Sequence, residues 1–373
     1  MQKSIMLPSI KRSVLARMAL PVVTFLSASV TVAFANPGAL PQGGSVVSGR
    51  ASISALSGSN LTINQQSQRA IVNWNSFSIG RDNSVTINQP NSSAAMLNRV
   101  TGDTSSTIAG QLDANGQVYL VNPNGIAITP TGTVKVGGGF VASTLDISND
   151  NFNAGKLTFQ GNGASASVSN AGSIVSSTGG FAALLGGTAA NSGLISVPLG
   201  KIGVGSGERQ TLDLYGNGFL QVALPSSGKG SKPLIDLGGQ TMAEGGTVVV
   251  KAATVAKALQ DAVKVTGAVS VSSVYQDGGV VVFDGGSGGQ VNVSGTVKAT
   301  SDRARGGALS IGGQAIALKS SLLDVSGATG GGKVTIGGGK AGAPVAGLSM
   351  ADKLLVDKGS MIKADAQRLG NGG

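Results

Sequence analysis

The sequence predicts an all-β fold, a parallel β-helix in which short strands are wound into stacked coils, and three observations carry that prediction. The first is composition: 60 of 373 residues are glycine, 41% are hydrophobic and only 3% aromatic, so a core has to be assembled from small aliphatic side chains. Abundant Val, Ile and Leu in alternation exclude a disordered chain, and the lack of a three-residue glycine period excludes collagen. The second is a repeat: VSNAGSI, with Val168, Asn170, Gly172 and Ile174, returns twenty-one residues on as AANSGLI, with Ala189, Asn191, Gly193 and Ile195. A unit of that length with two or three short strands is one coil of a solenoid, and Asn at a fixed place in successive coils can stack into an amide ladder. The third is QVYLVNPNGIAI, residues 117–128, in which two short apolar strands flank a tight turn.

Residues 1–35 read as a signal peptide. Lys3, Lys11, Arg12 and Arg17 make a basic start, residues 18–34 an apolar run short for a spanning helix, and Ala33-Phe34-Ala35 a cleavage site. Removing these four basic residues lowers the net charge from +10 to +6. Arg303 and Arg305 are too sparse for a phosphate-tracking groove, so no nucleic-acid partner is expected. Cysteine and histidine are both absent, which rules out disulfides, thiol nucleophiles, Cys or His metal sites and every Ser-His or Cys-His arrangement. No cofactor or metal is expected.

Taken in order, residues 45–63 alternate through Val47, Ile53, Leu56, Leu61 and Ile63 and read as short strands. Residues 70–80 hold the single tryptophan, Trp74, beside Phe77 and Ile79, as a strand whose aromatics cover the end of a core. Val85 to Ile87 is a strand and Gln89-Pro90-Asn91 a turn; residues 94–100, AAMLNRV, fit either a helical turn or a strand. In the turn after Val121, Asn122 can bond the backbone two residues on, Pro123 presets φ, Asn124 tolerates the bridge or left-handed region and Gly125 closes without steric cost. Val134 and Val136 lead into three glycines and an apolar segment at 140–147.

Past the repeat, Val265-Thr266-Gly267, Val293-Ser294-Gly295 and Val325-Ser326-Gly327 follow one design, and paired glycines at Gly245, Gly278, Gly306 and Gly331 open strands. Residues 254–263, TVAKALQDAV, space Val255, Ala258, Leu259 and Ala262 as a short helix would. The organisation expected is a signal peptide (1–35), a β-helical domain (36–210) and glycine-rich β-helical repeats (211–373), with short hairpins outside the coil. At roughly twenty to twenty-five residues per coil, residues 36–373 predict about fourteen to seventeen coils and a rod of about 70 Å. The last residues provide no polar cap, so further coils are expected beyond them.

Taken with WNSFSIG at 74–80 and LNRVTG at 97–102, the stretch QVYLVNPNGIAI resembles the amino-terminal secretion domain of the filamentous haemagglutinin family. The resemblance covers most of residues 36–210 in the same order and, weakly, the glycine-rich repeats after them. It implies a right-handed parallel β-helix, Sec export and passage through a dedicated outer-membrane barrel partner of the two-partner type, leaving the protein secreted or at the surface of a Gram-negative cell. It also implies a secretion role for the turn Asn122, Pro123, Asn124 and Gly125. The family's second motif, Asn-Pro-Asn-Leu, is not found; Gln89-Pro90-Asn91-Ser92 is a partial match. An adhesin-like, non-enzymatic, monomeric exoprotein is the expectation, with host or surface glycans as a further partner class. Two rivals stand beside it: a polysaccharide-acting enzyme, for which Asp146, Asp150, Asp277 and Asp284 are the carboxylates, and a delivery stalk for a toxin or cytolysin.

Overall fold

A computed structural model describes residues 38–54, 57–164, 166–216, 218–226 and 232–373. The signal-peptide segment and Leu56 lie outside the described residues. The chain winds through three stacked sheets: face one with 11 strands, face two with 9 and face three with 12. One coil runs Gln117–Val121 on face one, Ile126–Ile128 on face two and Thr133–Val136 on face three, then returns to face one at Gly139–Ser143. Pairing between coils is parallel throughout these faces except at the start, where Ser45–Ser48 and Ala51–Ile53 pair antiparallel with Arg69–Trp74 and Asn60–Gln65. Those two strands cover the first edges of faces one and three, which would otherwise offer open ladders.

The main core consists of largely aliphatic columns. On face one, Ala70, Met96, Val118, Phe140, Ala182, Ile202, Val248, Val281 and Leu309 stack in register, one per coil, and all are buried. Each coil contributes too few apolar groups to form a core alone, so burial comes from the stacking. The 21-residue repeat is one coil: Val168 pairs with Ala189 and Asn170 with Asn191, and the Asn170 Nδ2 donates to Asn191 Oδ1 at 2.8 Å. The paired glycines do open strands, and their second members, Gly246, Gly279, Gly307 and Gly332, continue a column begun by Gly200. A Cβ on Gly246, Gly279, Gly307 or Gly332 would lie 2.1 Å from the carbonyl oxygen of the glycine one coil before it.

Several expectations are corrected. Face one has ten strands in its parallel stack, 11 less the antiparallel first, so there are about ten coils and a stack of roughly 43 Å. The estimate from uniform coils fails because of two insertions: Phe140 to Ala182 takes 42 residues and Ile202 to Val248 takes 46, against 22 from Val118 to Phe140. Val265 and Val293 stack as expected, but Val293 is followed in its column by Leu318, and Val325 lies after a strand of face three. Residues 94–100 are strand, Ala95–Val100.

Residues 254–263 are not a helix. Gln260–Val265 is a strand of face two, paired with Ile235–Leu237 and Gly289–Val293, and a bulge between Asp261 and Val263 turns both Ala262 and Val263 into the core. Two adjacent inward residues break the period of two and imitate helical spacing, while Val255 and Leu259 are exposed. Among the described residues the α-helix lies elsewhere, at Asn149–Asn153, capped by Ser148 Oγ, which accepts from Asn151 N at 3.2 Å.

That helix belongs to a second core on the outside of face one. Ile71, Leu97, Tyr119, Val141 and Ala183 form an outward column. The two insertions cover it with the helix and with an antiparallel sheet of Thr158–Gln160, Arg209–Leu212 and Leu220–Ala223. Phe152, Phe159 and Phe219 are fully buried there, Tyr119 and Phe152 meet edge to face at 5.2 Å, and burial pushes the Tyr119 phenol above its ordinary range. Face one is bare of side chains where Phe219 sits, because a Cβ on Gly203 would approach its ring to 3.0 Å.

Candidate functional site

The turn at residues 122–125 is a corner of the solenoid. The strands on either side of it, Gln117–Val121 and Ile126–Ile128, lie in different sheets and pair with the coils before and after, so they do not form a hairpin. Gly125 N donates to Asn122 O at 3.1 Å and closes the turn. Gly125 has φ +116, a region L side chains rarely adopt, and space is not the constraint: the nearest atom to an added Cβ would be Ser167 O at 3.5 Å.

The two asparagines have different duties. Asn122 is completely buried, and its amide is saturated. Oδ1 accepts from Asn124 N at 3.0 Å and Asn124 Nδ2 at 3.2 Å, while Nδ2 donates to Thr104 O and Ser106 Oγ, each at 2.9 Å. Its backbone N donates onward to Ser143 O at 2.9 Å, where the first insertion leaves the coil. Asn124 is exposed and reaches back one coil, its Nδ2 donating to Gly102 O at 2.9 Å. Pro123 is half-buried beside it.

The other two motifs converge on this corner. Arg69–Trp74 pairs directly with Ala95–Val100, Thr101 N donates to Trp74 O at 2.8 Å, and a Cβ on Gly102 would lie 2.2 Å from Asn75 O. The three motifs thus form a single patch on successive coils, clipped together by Gly102. Inside it, Asn98 sits in an inward column of the core and accepts from Trp74 Nε1 at 3.1 Å, while its Nδ2 has no partner among the described residues. Beside it, outward-facing Arg99 ties the first insertion down, bonding Asp146 Oδ1 at 2.8 Å, Asn149 Oδ1 at 2.8 Å and the Ile147 carbonyl. Arg69 does the same at the helix end, donating to Phe152 O at 2.9 Å with its guanidinium over the Phe152 ring. Asn98 and Arg99 were not singled out by sequence reasoning, although strand alternation from Met96 already places Asn98 inward.

Gln89-Pro90-Asn91-Ser92 is a corner between faces three and one. Gln89 is buried in an amide network, its Nε2 donating to Gln65 Oε1 at 2.9 Å and its Oε1 accepting from Gly116 N at 3.0 Å; Asn91 Oδ1 accepts from Ser93 N at 3.0 Å.

The four carboxylates are not brought together. Asp146 pairs with Arg99, Asp150 lies in the first helical turn, Asp277 accepts from Arg305 N at 3.1 Å, and Asp284 accepts from Gly286 N at 3.1 Å and Ser349 N at 3.3 Å. Among the described residues no three acidic side chains gather as metal ligands would.

The TPS secretion domain family matches residues 38–299. The sequence is 43% identical over 129 residues to a heme/hemopexin-binding protein of Haemophilus influenzae, a stretch that is 34% of this chain and 14% of that protein. A second heme/hemopexin-binding protein of the same species is 39% identical over 127 residues, again 14% of its length. Among solved structures, the HMW1 secretion domain from Haemophilus influenzae superposes with a TM-score of 0.76 at 32% identity, covering 87% of this chain and 84% of that one. The chain belongs to the TPS secretion domain family, secreted or cell-surface exoproteins of Gram-negative bacteria exported through an outer-membrane partner.

Proposed function

We propose that this chain is the exported module of an adhesin-like, non-enzymatic surface exoprotein, monomeric outside the cell, and that an outer-membrane transporter of the two-partner type reads its corner at Asn122, Pro123, Asn124 and Gly125. The observation that carries the reading is the division of labour at that corner. Asn122 is buried with every amide group engaged, so a partner meeting the closed coil finds Pro123 and Asn124. Before the coil closes, Asn122 is equally available. A transporter that engages unfolded chain therefore senses both asparagines, and one that engages folded chain senses Asn124 alone. Heme or hemopexin binding is a property of the two Haemophilus proteins by name, and it is not carried to this chain from a match over 14% of their length.

The test is export from cells with and without the transporter, combined with capture of folded and urea-unfolded protein by the transporter's periplasmic part. Export should require the transporter, and Asn124→Ala should reduce capture of either form. Normal export without the transporter removes the reading, and unchanged capture of Asn124→Ala in both forms removes the role of the corner.

A further inference from the structure

Two exposed tyrosines stand along the edge where face three turns into face one, and neither serves a core. Tyr215 is 95% exposed, at the tip of a turn that is held firmly from below. Asp213 Oδ1 accepts from Tyr215 N at 3.2 Å and Gly216 N at 2.7 Å, and Lys201 Nζ donates to Leu214 O at 2.8 Å and Gly216 O at 2.9 Å. Tyr275 is 75% exposed, with the Arg303 guanidinium 4.7 Å from its ring centre. Leu199, itself half exposed, is held at φ +52, a left-handed conformation that a leucine rarely adopts. It lines two grooves at once, one of about 320 Å³ shared with Tyr215 and one of about 530 Å³ shared with Tyr275.

We propose that this double groove binds a neutral glycan chain, with Tyr215 and Tyr275 stacking on sugar rings and Leu199 filling the step between them. Both volumes fall in the range of small-ligand sites. The polar lining of the larger groove is mostly hydroxyl and amide, from Ser270, Ser272, Ser273 and Gln276, groups that both donate and accept as a polyol requires. Two carboxylates, Glu244 and Asp302, also line it and no cation does, which disfavours a polyanionic chain and leaves the hydroxyls of a neutral one to be bonded. An extended peptide has no open ladder to join here, since Ser270 is already paired with Met242 on one side and Lys298 on the other. A helix would need a continuous apolar stripe, whereas the exposed apolar side chains here are split between two grooves, Tyr215 in one, Val274 and Tyr275 in the other, with Leu199 between. The proposal rests on the surface-exoprotein reading for access to such a ligand.

The test uses the purified secreted protein and calorimetric titration with cellohexaose, mannohexaose and chitohexaose, with polygalacturonate and heparin as charged comparators. At least one neutral hexasaccharide should bind. Tyr215→Ala and Tyr275→Ala should each weaken it by about tenfold, while Tyr215→Phe and Tyr275→Phe, which keep the ring, should bind as the parent does. Folding of each variant is checked by an unchanged circular dichroism spectrum and thermal midpoint. No binding of any neutral hexasaccharide, binding of the anionic chains only, or alanine variants that bind like the parent would overturn the proposal. Export is not measured in this experiment, so failure here leaves the transporter reading intact, and failure of the export assay leaves this site untouched.

Discussion

Asn122 and Asn124 differ by two positions, yet replacing each by alanine should have very different consequences for stability. Asn122→Ala deletes four hydrogen bonds in one step. Ser106 is fully buried and its Oγ loses the amide that serves it, at a cost of about 1–3 kcal/mol for an orphaned buried hydroxyl. Thr104 O and Asn124 N lie on exposed residues where water can substitute, so each loss is worth about 0.5 kcal/mol. The sum is about 3 kcal/mol. Asn124→Ala removes two bonds from an exposed side chain and leaves Asn122 bonded to Asn124 N, at a cost of about 0.5–1 kcal/mol. Trp74 is the only tryptophan and lies within the same three-motif patch, so its emission during guanidinium unfolding reports these coils. A midpoint for Asn124→Ala as low as that of Asn122→Ala, or an Asn122→Ala loss below about 1 kcal/mol, would refute the division of duties at the corner.

Gly279→Ala should cost about 3 kcal/mol or more, read from the thermal midpoint, because its Cβ would lie 2.1 Å from the Gly246 carbonyl oxygen, a backbone atom fixed by the ladder. Arg99→Met keeps the aliphatic stem and loses the bonds to Asp146, Asn149 and Ile147. Limited proteolysis across residues 144–157 should then accelerate by roughly thirty-fold, the equivalent of about 2 kcal/mol of local stability. Asp357 is held below the usual carboxylate range first by the Ser320 backbone amide and then by Ser360, so its contribution is complete above the ordinary carboxylate pKa and lost as pH falls through its own lowered value. Acidification through that window should speed amide exchange in Lys353–Val356 and Met361–Lys363 before the central coils, and uniform exchange along the chain would contradict this.

What could be read from the residues is what local geometry forces. The corner at 122–125 announces itself because Gly125 has φ +116 and Asn122 bonds the backbone two residues on. The glycine pairs are equally explicit, since at each corner a side chain would strike the carbonyl one coil earlier. The register of Asn170 on Asn191 follows from the repeat itself, because coils without insertions keep their length.

The second core was beyond such reading. Tyr119, Phe152 and Phe219 meet only after 42- and 46-residue excursions return to face one, and nothing in the spacing of three aromatics says they share a pocket. Gly203 lies mid-strand, and its lack of a side chain makes room for Phe219, a relation no stretch of sequence contains. The misreading at 254–263 has the same root. A bulge is a relation between two strands, so Ala262 and Val263 both turn inward because of the register of Gln260–Val265 against Gly289–Val293, which no window of one strand contains. The uneven coils also decide where aromatic residues gather: Phe152, Phe159, Phe181 and Phe219 join Tyr119 where the insertions fold back over one face, while Phe77, Phe140 and Phe283 are spread through the main core. The first insertion starts next to the NPNG corner, where Asn122 N bonds Ser143 O, and Arg99, in the motif one coil earlier, holds its first residues. The motif patch and the aromatic cap are therefore mechanically one unit, and a change at either should be felt at the other before it is felt in the later coils.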